Sequence, residues 1–310
     1  MGSYIIKRLL ISIPVLLVIS LATFYFIHLS PLDPAEVVLR AQDTPEITNE
    51  LIALTKENLG MDKPLIEQYL HWIIACLQLE FGNSYVTGKP VWSLLGPAFL
   101  NTLKLTVVSS VSIIIFSIVL GVICAMKEGR GIDKSIRGIL FFLTAMPPYL
   151  LAAIMIWYFS VKLDFLPTSG MDSYKSYFLP VLVITISYAG IYFRIVRSSM
   201  LSNLNEDYVL YGKACGLTER QITIHVLRNS LQVVTSIFCM SIPIILGSTV
   251  VIENVFAWPG LGSLSVKAIL SRDLPVIQAY VLILAVAFVM FNMLSDIINA
   301  VMNPKLRNDL

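Results

Sequence analysis

The sequence predicts an all-α membrane protein: six transmembrane helices with the N-terminus and C-terminus cytoplasmic, and a small helical extracytoplasmic insertion between the first and second spans. Three observations carry this. First, 56% of the 310 residues are hydrophobic, 14% are charged and the mean hydropathy is +0.79, whereas a soluble domain carries about 25% charged residues. Second, six apolar runs, at 9–29, 103–125, 138–161, 177–195, 231–252 and 278–301, are each about 20 residues long, enough to cross a hydrocarbon layer of roughly 30 Å. Such runs are read as helices, because an open strand edge would leave backbone groups unpaired in lipid. Third, a cytoplasmic N-terminus puts thirteen Lys and Arg in the inside segments and eight outside, half of these in one long loop. The chain then divides into an N-terminal transmembrane helix (1–30), a helical insertion (31–98), a five-helix core (99–302) that contains a cytoplasmic segment at 202–230, and a cytoplasmic tail (303–310).

The first run follows Lys7 and Arg8 and lacks a small-x-small cleavage site, so it is read as a retained span. The outside loop that follows has nine acids against four bases. Thr44-Pro45-Glu46 reads as one helix start there, with Ile47, Leu51 and Leu54 on one face. Asp62-Lys63-Pro64 reads as a second, leading into Ile66, Tyr69, Leu70, Ile73 and Leu77. The stretch GRGIDKS, Gly129 to Ser135, ends in Lys-Ser like a phosphate loop, but Asp133 stands where the glycine should be and no strand precedes it; it is expected as a loop of solvated charge. Met146-Pro147-Pro148 breaks the third span, read as a kink.

The longest charged stretch of the last two thirds, Asn205 to Ser230, falls on the cytoplasmic side between the fourth and fifth spans. Asn205 reads as an N-cap with Glu206 and Asp207 in the first turn, Gly216 as the residue just past a helix end, and Thr218 to Gln221 as a capping box. A short helix, a glycine turn and a second helix are predicted, presenting Tyr208, Tyr211 and Leu217 beside the charges.

No catalytic machinery is expected. HExxH and GxSxG are absent, the three histidines (His28, His71, His225) are far apart, and the four cysteines lack metal or disulfide spacing. No metal or cofactor site is predicted, and a net charge of +2 gives no reason to expect nucleic acid. Asp296 is the one acid placed inside a span, fewer than a proton-coupled carrier or an intramembrane aspartyl protease would use.

Five stretches resemble the permease subunits of bacterial ATP-binding-cassette importers for dipeptides, oligopeptides and nickel. They are DYVLYGKACGLTERQITIHVLRNSL (from Asp207); GMDKPLIEQYLHWI with FGNSY in the outside loop; NTLKLT (Asn101 to Thr106); IENVFAWPGLGSL (Ile252 to Leu264) followed by RDLPVIQAY; and FNMLSDIINAVMNPKLR at the end. Gly212 and Lys213 stand where the family usually has Ala-Arg, Cys215 where it has Lys, Val233 where it often has Pro, and Asn303-Pro304-Lys305 where it has Asp-Pro-Arg.

The resemblance implies a non-catalytic permease that pairs with a second homologous permease, two cytoplasmic ATPases that bind the ATP, and an extracytoplasmic substrate-binding protein. It implies ATPase coupling through Glu206, Asp207, Tyr208, Tyr211, Gly212, Ala214, Gly216, Leu217, Arg228 and Asn229. For Pro259 to Gly262 two readings stay open: a simple turn, or a gate or receptor-docking surface made with Glu253, Phe256, Pro259, Gly260, Gly262, Arg272 and Asp273. The wording of GPAFLNTLKLT, SIFCMSIP and VIENVFAWPGLG is closest to members that import nickel or metal–metallophore complexes, with a peptide importer as the alternative. A secondary transporter or a non-transporting membrane scaffold is the reading from outside the family.

Overall fold

The computed structural model describes residues 2–29, 33–41, 44–58, 60 and 62–302. Among these the chain is helical, and β-pairing is confined to a single bridge between Asn83 and Pro90. The helices in order are α1 (Gly2–His28), α2 (Pro34–Ala41), α3 (Asn49–Asn58), α4 (Leu65–Leu77), α5 (Val91–Met126), α6 (Gly131–Ala145), α7 (Pro148–Met155), α8 (Phe178–Leu204), α9 (Asp207–Ala214), α10 (Glu219–Val255), α11 (Leu261–Ser271) and α12 (Leu274–Met302). A π turn, Ile156–Lys162, continues α7.

Four stretches are long and apolar enough to cross a membrane: Val91–Met126, Tyr174–Leu204, Val234–Val255 and Leu274–Asn299. The pair α6 and α7, bent by 104° at the Met146-Pro147-Pro148 break, makes a fifth if it counts as one span. The break is therefore much sharper than a kink, because Pro147 and Pro148 offer no N–H to the preceding turn. In α1, the described apolar stretch is Leu10–Phe26. Four to five of the six expected spans are thus present among the described residues, and the tail at 303–310, with Asn303-Pro304-Lys305, lies outside them.

The chain folds as two compact units. One comprises residues 102–258 and 291–302. Its core gathers Leu105 and Ile113 of α5, Leu151 of α7, Val183 and Ile184 of α8, and Phe238, Ile245 and Ile252 of α10, closed by Trp258, whose ring meets Tyr177 edge-on at 4.6 Å. Helices approach closely where a glycine removes the side chain: a Cβ on Gly121 would stand 2.5 Å from Val196 Cγ1, and one on Gly190 would collide with the Thr144 hydroxyl.

In this unit Asp133 corrects the sequence reading. It lies in the first turn of α6, not in a loop, and its side chain is fully buried. Arg197 of α8 donates to it twice, at 2.9 Å each, the Gly129 N–H donates at 3.1 Å, and Arg137 approaches to 3.3 Å. An acid beside the positive end of a helix and inside an arginine fork has no need of water.

The second unit comprises 2–101 and 259–290. Its core joins Cys76, Phe81, Val91 and Leu95 to Leu261, Ala268, Val276 and Ala279. Helix α4 begins after Pro64 as expected, but its inward face is Tyr69, Trp72 and Cys76, with Tyr69 and Trp72 against Phe24 of α1; Ile66, Leu70 and Leu77 are exposed. Burial pushes the Cys76 thiol up to about 12, so it stays neutral. Helix α3 starts at Asn49, later than Pro45, where the Thr48 hydroxyl accepts the Leu51 N–H at 3.3 Å, and it buries no residue. Helix α2 has no counterpart in the sequence reading; Asp33 caps it by accepting the Ala35 N–H at 3.1 Å and pairs with Lys56.

Candidate functional site

The segment from Asn205 to Ser230 is built as a turn with one anchor. Glu206, not Asn205, is the N-cap of α9, and Asn205 instead closes α8, its side-chain amide donating to the Leu201 carbonyl. With Glu206 and Asp207 at its start and Lys213 in its last turn, α9 complements its own dipole. At its end the N–H of Gly216 donates to the Lys213 carbonyl and that of Leu217 to the Gly212 carbonyl, both at 3.0 Å. This paired closure needs a left-handed residue, and Gly216 supplies it at φ +82°. Thr218 then opens α10: its N–H donates to Gln221 Oε1 at 2.9 Å while its hydroxyl accepts the Gln221 N–H, the expected capping box.

Burial sorts the sequence-predicted residues. Val209 is the buried side of α9, packed in a cluster with Ile222 and Val226 of α10 and Val196 and Met200 of α8. Gly212 is also buried, and a Cβ there would stand 3.2 Å from Leu217 Cδ1, so these two fold the turn onto itself. Glu206, Asp207, Tyr208, Tyr211, Ala214 and Gly216 are exposed, as are Arg228 and Asn229 two turns into α10. Leu210, missed by the sequence reading, is 72% exposed beside Tyr211 at 73%. Its signal was available: a large apolar residue on the solvent side of an eight-residue helix. Cys215 is exposed in the same turn, and His225 is exposed on α10.

The second predicted group is mostly interior. Glu253 lies inside α10, which runs to Val255, so Asp296 is not the sole acid of a membrane helix as the sequence reading had it. It is fully buried and accepts the Thr102 hydroxyl at 2.6 Å. Phe256 is buried, and its carbonyl accepts the Gly170 N–H at 2.9 Å. In the other unit the Pro259 carbonyl accepts the Asn101 side-chain amide at 3.0 Å, Gly260 starts α11 and Gly262 is buried. Arg272 ends α11 in the left-handed region at φ 56° and is exposed.

Asp273 is buried at 4% exposure; the Ser84 hydroxyl donates to one carboxylate oxygen and the Tyr85 N–H to the other, at 3.0 Å, pinning the turn before Pro90. The Tyr85 phenol is pushed up to about 12 by burial and by the Asp273 charge. Among the described residues no group of three His, Cys, Asp or Glu could hold a metal ion.

Residues 117–308 match the family described as binding-protein-dependent transport system inner membrane component, and residues 1–107 match its N-terminal counterpart. The chain is 56% identical over 307 residues, 99% of each protein, to the metal-staphylopine import system permease protein CntB of Staphylococcus aureus (strain NCTC 8325 / PS 47). It is 37% identical over 308 residues, again 99% of each, to the glutathione transport system permease protein GsiC of Escherichia coli (strain K12). In fold it is similar to a chain of the inward-facing MetNI methionine ABC transporter, with a TM-score of 0.58 and 18% identity, covering 68% of this chain and 96% of that one. A multi-pass membrane chain matched over its length by such proteins belongs to the binding-protein-dependent transport system inner membrane component family, as a permease subunit of an ATP-binding-cassette importer.

Proposed function

We propose that this permease forms half of the translocation pathway for nickel or another metal ion carried as a complex with an organic chelator. The observation that carries this is the 56% identity across the whole chain to a metal-staphylopine permease, against 37% to glutathione permeases. The chain spans the membrane six times with both ends in the cytoplasm, and pairs with a second homologous permease, two cytoplasmic ATPases and an extracytoplasmic binding protein. The exposed Leu210 and Tyr211 of α9 enter a groove on an ATPase, and α10, rigidly continued from the capped Thr218 turn, passes ATP-driven movement toward the membrane. Glu253 and Phe256 are interior to one unit and Gly260, Gly262 and Asp273 to the other, leaving Pro259 and Arg272 as the exposed points for a receptor.

Uptake of radioactive nickel with its chelator and of a labelled tripeptide, compared in cells with and without this chain and its binding protein, tests the cargo. Loss of the metal alone is expected; loss of the peptide alone moves the chain to the peptide branch, which the glutathione relatives favour. Sidedness has its own readout. A membrane-impermeant maleimide is expected to label the exposed Cys215 only from the cytoplasmic face and to be blocked when the ATPases are docked, and labelling from outside would reverse the topology.

A further inference from the structure

Helix α8 works with two of its faces. Val196 and Met200, one turn apart, lie in the buried cluster that anchors the α9 turn through Val209, together with Ile222 and Val226 of α10. Gly190, Phe193 and Arg197 recur at helical spacing on another face and meet α6 at successive levels. A Cβ on Gly190 would collide with the Thr144 hydroxyl, Phe193 packs with Leu140, and Arg197 forks Asp133 through Nε and Nη2, each at 2.9 Å. A push on Val209 therefore reaches the helix that holds α6.

The fork does more than an apolar contact would. Leu140 against Phe193 tolerates a slip along the helix axis, whereas a bidentate pair fixes register, because a slip of one turn, about 5.4 Å, strands a buried carboxylate. Arg137 approaches Asp133 to 3.3 Å from the same helix, so it cannot hold α6 to α8. Beyond Ala145, α6 has no helical connection to resist turning: Met146 is extended at ψ 136°, and neither Pro147 nor Pro148 has an N–H to donate back. At the other end the Gly129 N–H donates to Asp133 at 3.1 Å, tying the turn that follows α5 to the same carboxylate. One ion pair thus joins α8, the turn before α6 and α6 itself.

We infer that the Arg197–Asp133 fork carries the movement of the α9 turn from α8 into α6, so that ATP-driven motion leaves that turn by two arms, α10 and the α8–α6 pair. The inference rests on α9 as the ATPase-docking helix. Asp133 is fully buried and Arg197 largely so. Both are positioning residues, acting on transport by holding α6 in step with α8.

Distances between paired spin labels test this in the assembled importer, both permeases and the ATPases included, compared nucleotide-free and trapped with ADP and vanadate. Labels go on exposed positions of this chain, Lys134→Cys on α6, Ser202→Cys on α8 and Leu294→Cys on α12, taken two at a time with Cys215→Ser. In the otherwise native chain, α6 and α8 are expected to shift equally against α12 while the α6–α8 distance stays constant. Arg197→Gln and Asp133→Asn should keep the shift of α8, remove most of that of α6 and make the α6–α8 distance depend on nucleotide. A fork that served stability alone would leave the two shifts equal in variants that unfold earlier, and that result overturns the inference. So does a native chain in which α8 moves and α6 does not, whereas one in which neither moves overturns the docking role of α9 as well. If both variants fail to assemble, Arg197→Lys decides: it keeps the charge but loses the planar fork, and equal shifts of α6 and α8 in it refute the linkage. No readout requires a cargo.

Discussion

The turn around α9 and the two buried acids Glu253 and Asp273, one in each unit, were all singled out from the sequence, yet they are built in opposite ways. In the turn, one apolar residue, Val209, and the Gly212–Leu217 fold hold the segment, and the rest faces solvent. Each acid is buried within its own unit, Glu253 accepting from Thr102 in one and Asp273 from Ser84 and Tyr85 in the other. A surface awaiting a partner leaves its groups unspent, whereas a frame uses them internally. Mutations in the two places should therefore separate into losses of transport without loss of stability, and the reverse.

The largest expected effect is Asp273→Ala. It strands the buried Ser84 hydroxyl and the Tyr85 N–H, at a cost of about 3 kcal/mol, read as a fall of several degrees in the thermal unfolding of the assembled importer. Asp273→Asn should recover part of this, since the amide oxygen still accepts. Uptake per folded complex should stay near wild type; a selective loss of uptake would make Asp273 part of the working surface.

Next comes the double change Leu210→Ala with Tyr211→Ala. Uptake is expected to fall at least tenfold, about 1.4 kcal/mol of docking, while unfolding shifts by no more than about 0.5 kcal/mol. Early unfolding would instead place this pair in the frame. Gly216→Ala is smaller and sharper. No atom lies within 4 Å of the added methyl, so the expected cost of about 1 kcal/mol is backbone strain at φ +82° alone. Affinity for the ATPases, measured on complexes that remain folded, should be unchanged.

Arg272→Gly should have the smallest effect and the opposite sign, stabilising by about 0.5 kcal/mol because glycine accepts the left-handed φ of 56°. If uptake falls while stability rises, Arg272 touches the receptor.

Local chemistry was legible in the sequence, and burial was not. The glycine closure at Gly216 and the Thr218–Gln221 box depend on residues a few positions apart, so their spacing reveals them. The cap assigned to Asn205 moved by one residue because two helices meet there and both ends compete for a polar side chain. The Met146-Pro147-Pro148 break was visible, but a sequence does not state the angle. Helix α2 was missed because eight residues carry too little periodicity. Asp133 was read as solvated because its partner Arg197 is 64 residues away, and Glu253 was placed beyond its span because apolar content ends before the helix does.

That separation of 64 residues between Asp133 and Arg197 also has a meaning in time. A chain made at about 5–20 residues per second reaches Arg197 roughly 3 to 13 s after Asp133. Through that interval the acid is already committed to α6, and Arg137, one turn along the same helix, is the counter-ion at hand. The arrival of α8 then completes the fork, so the order of synthesis makes α8 the element that locks α6 in place during biogenesis.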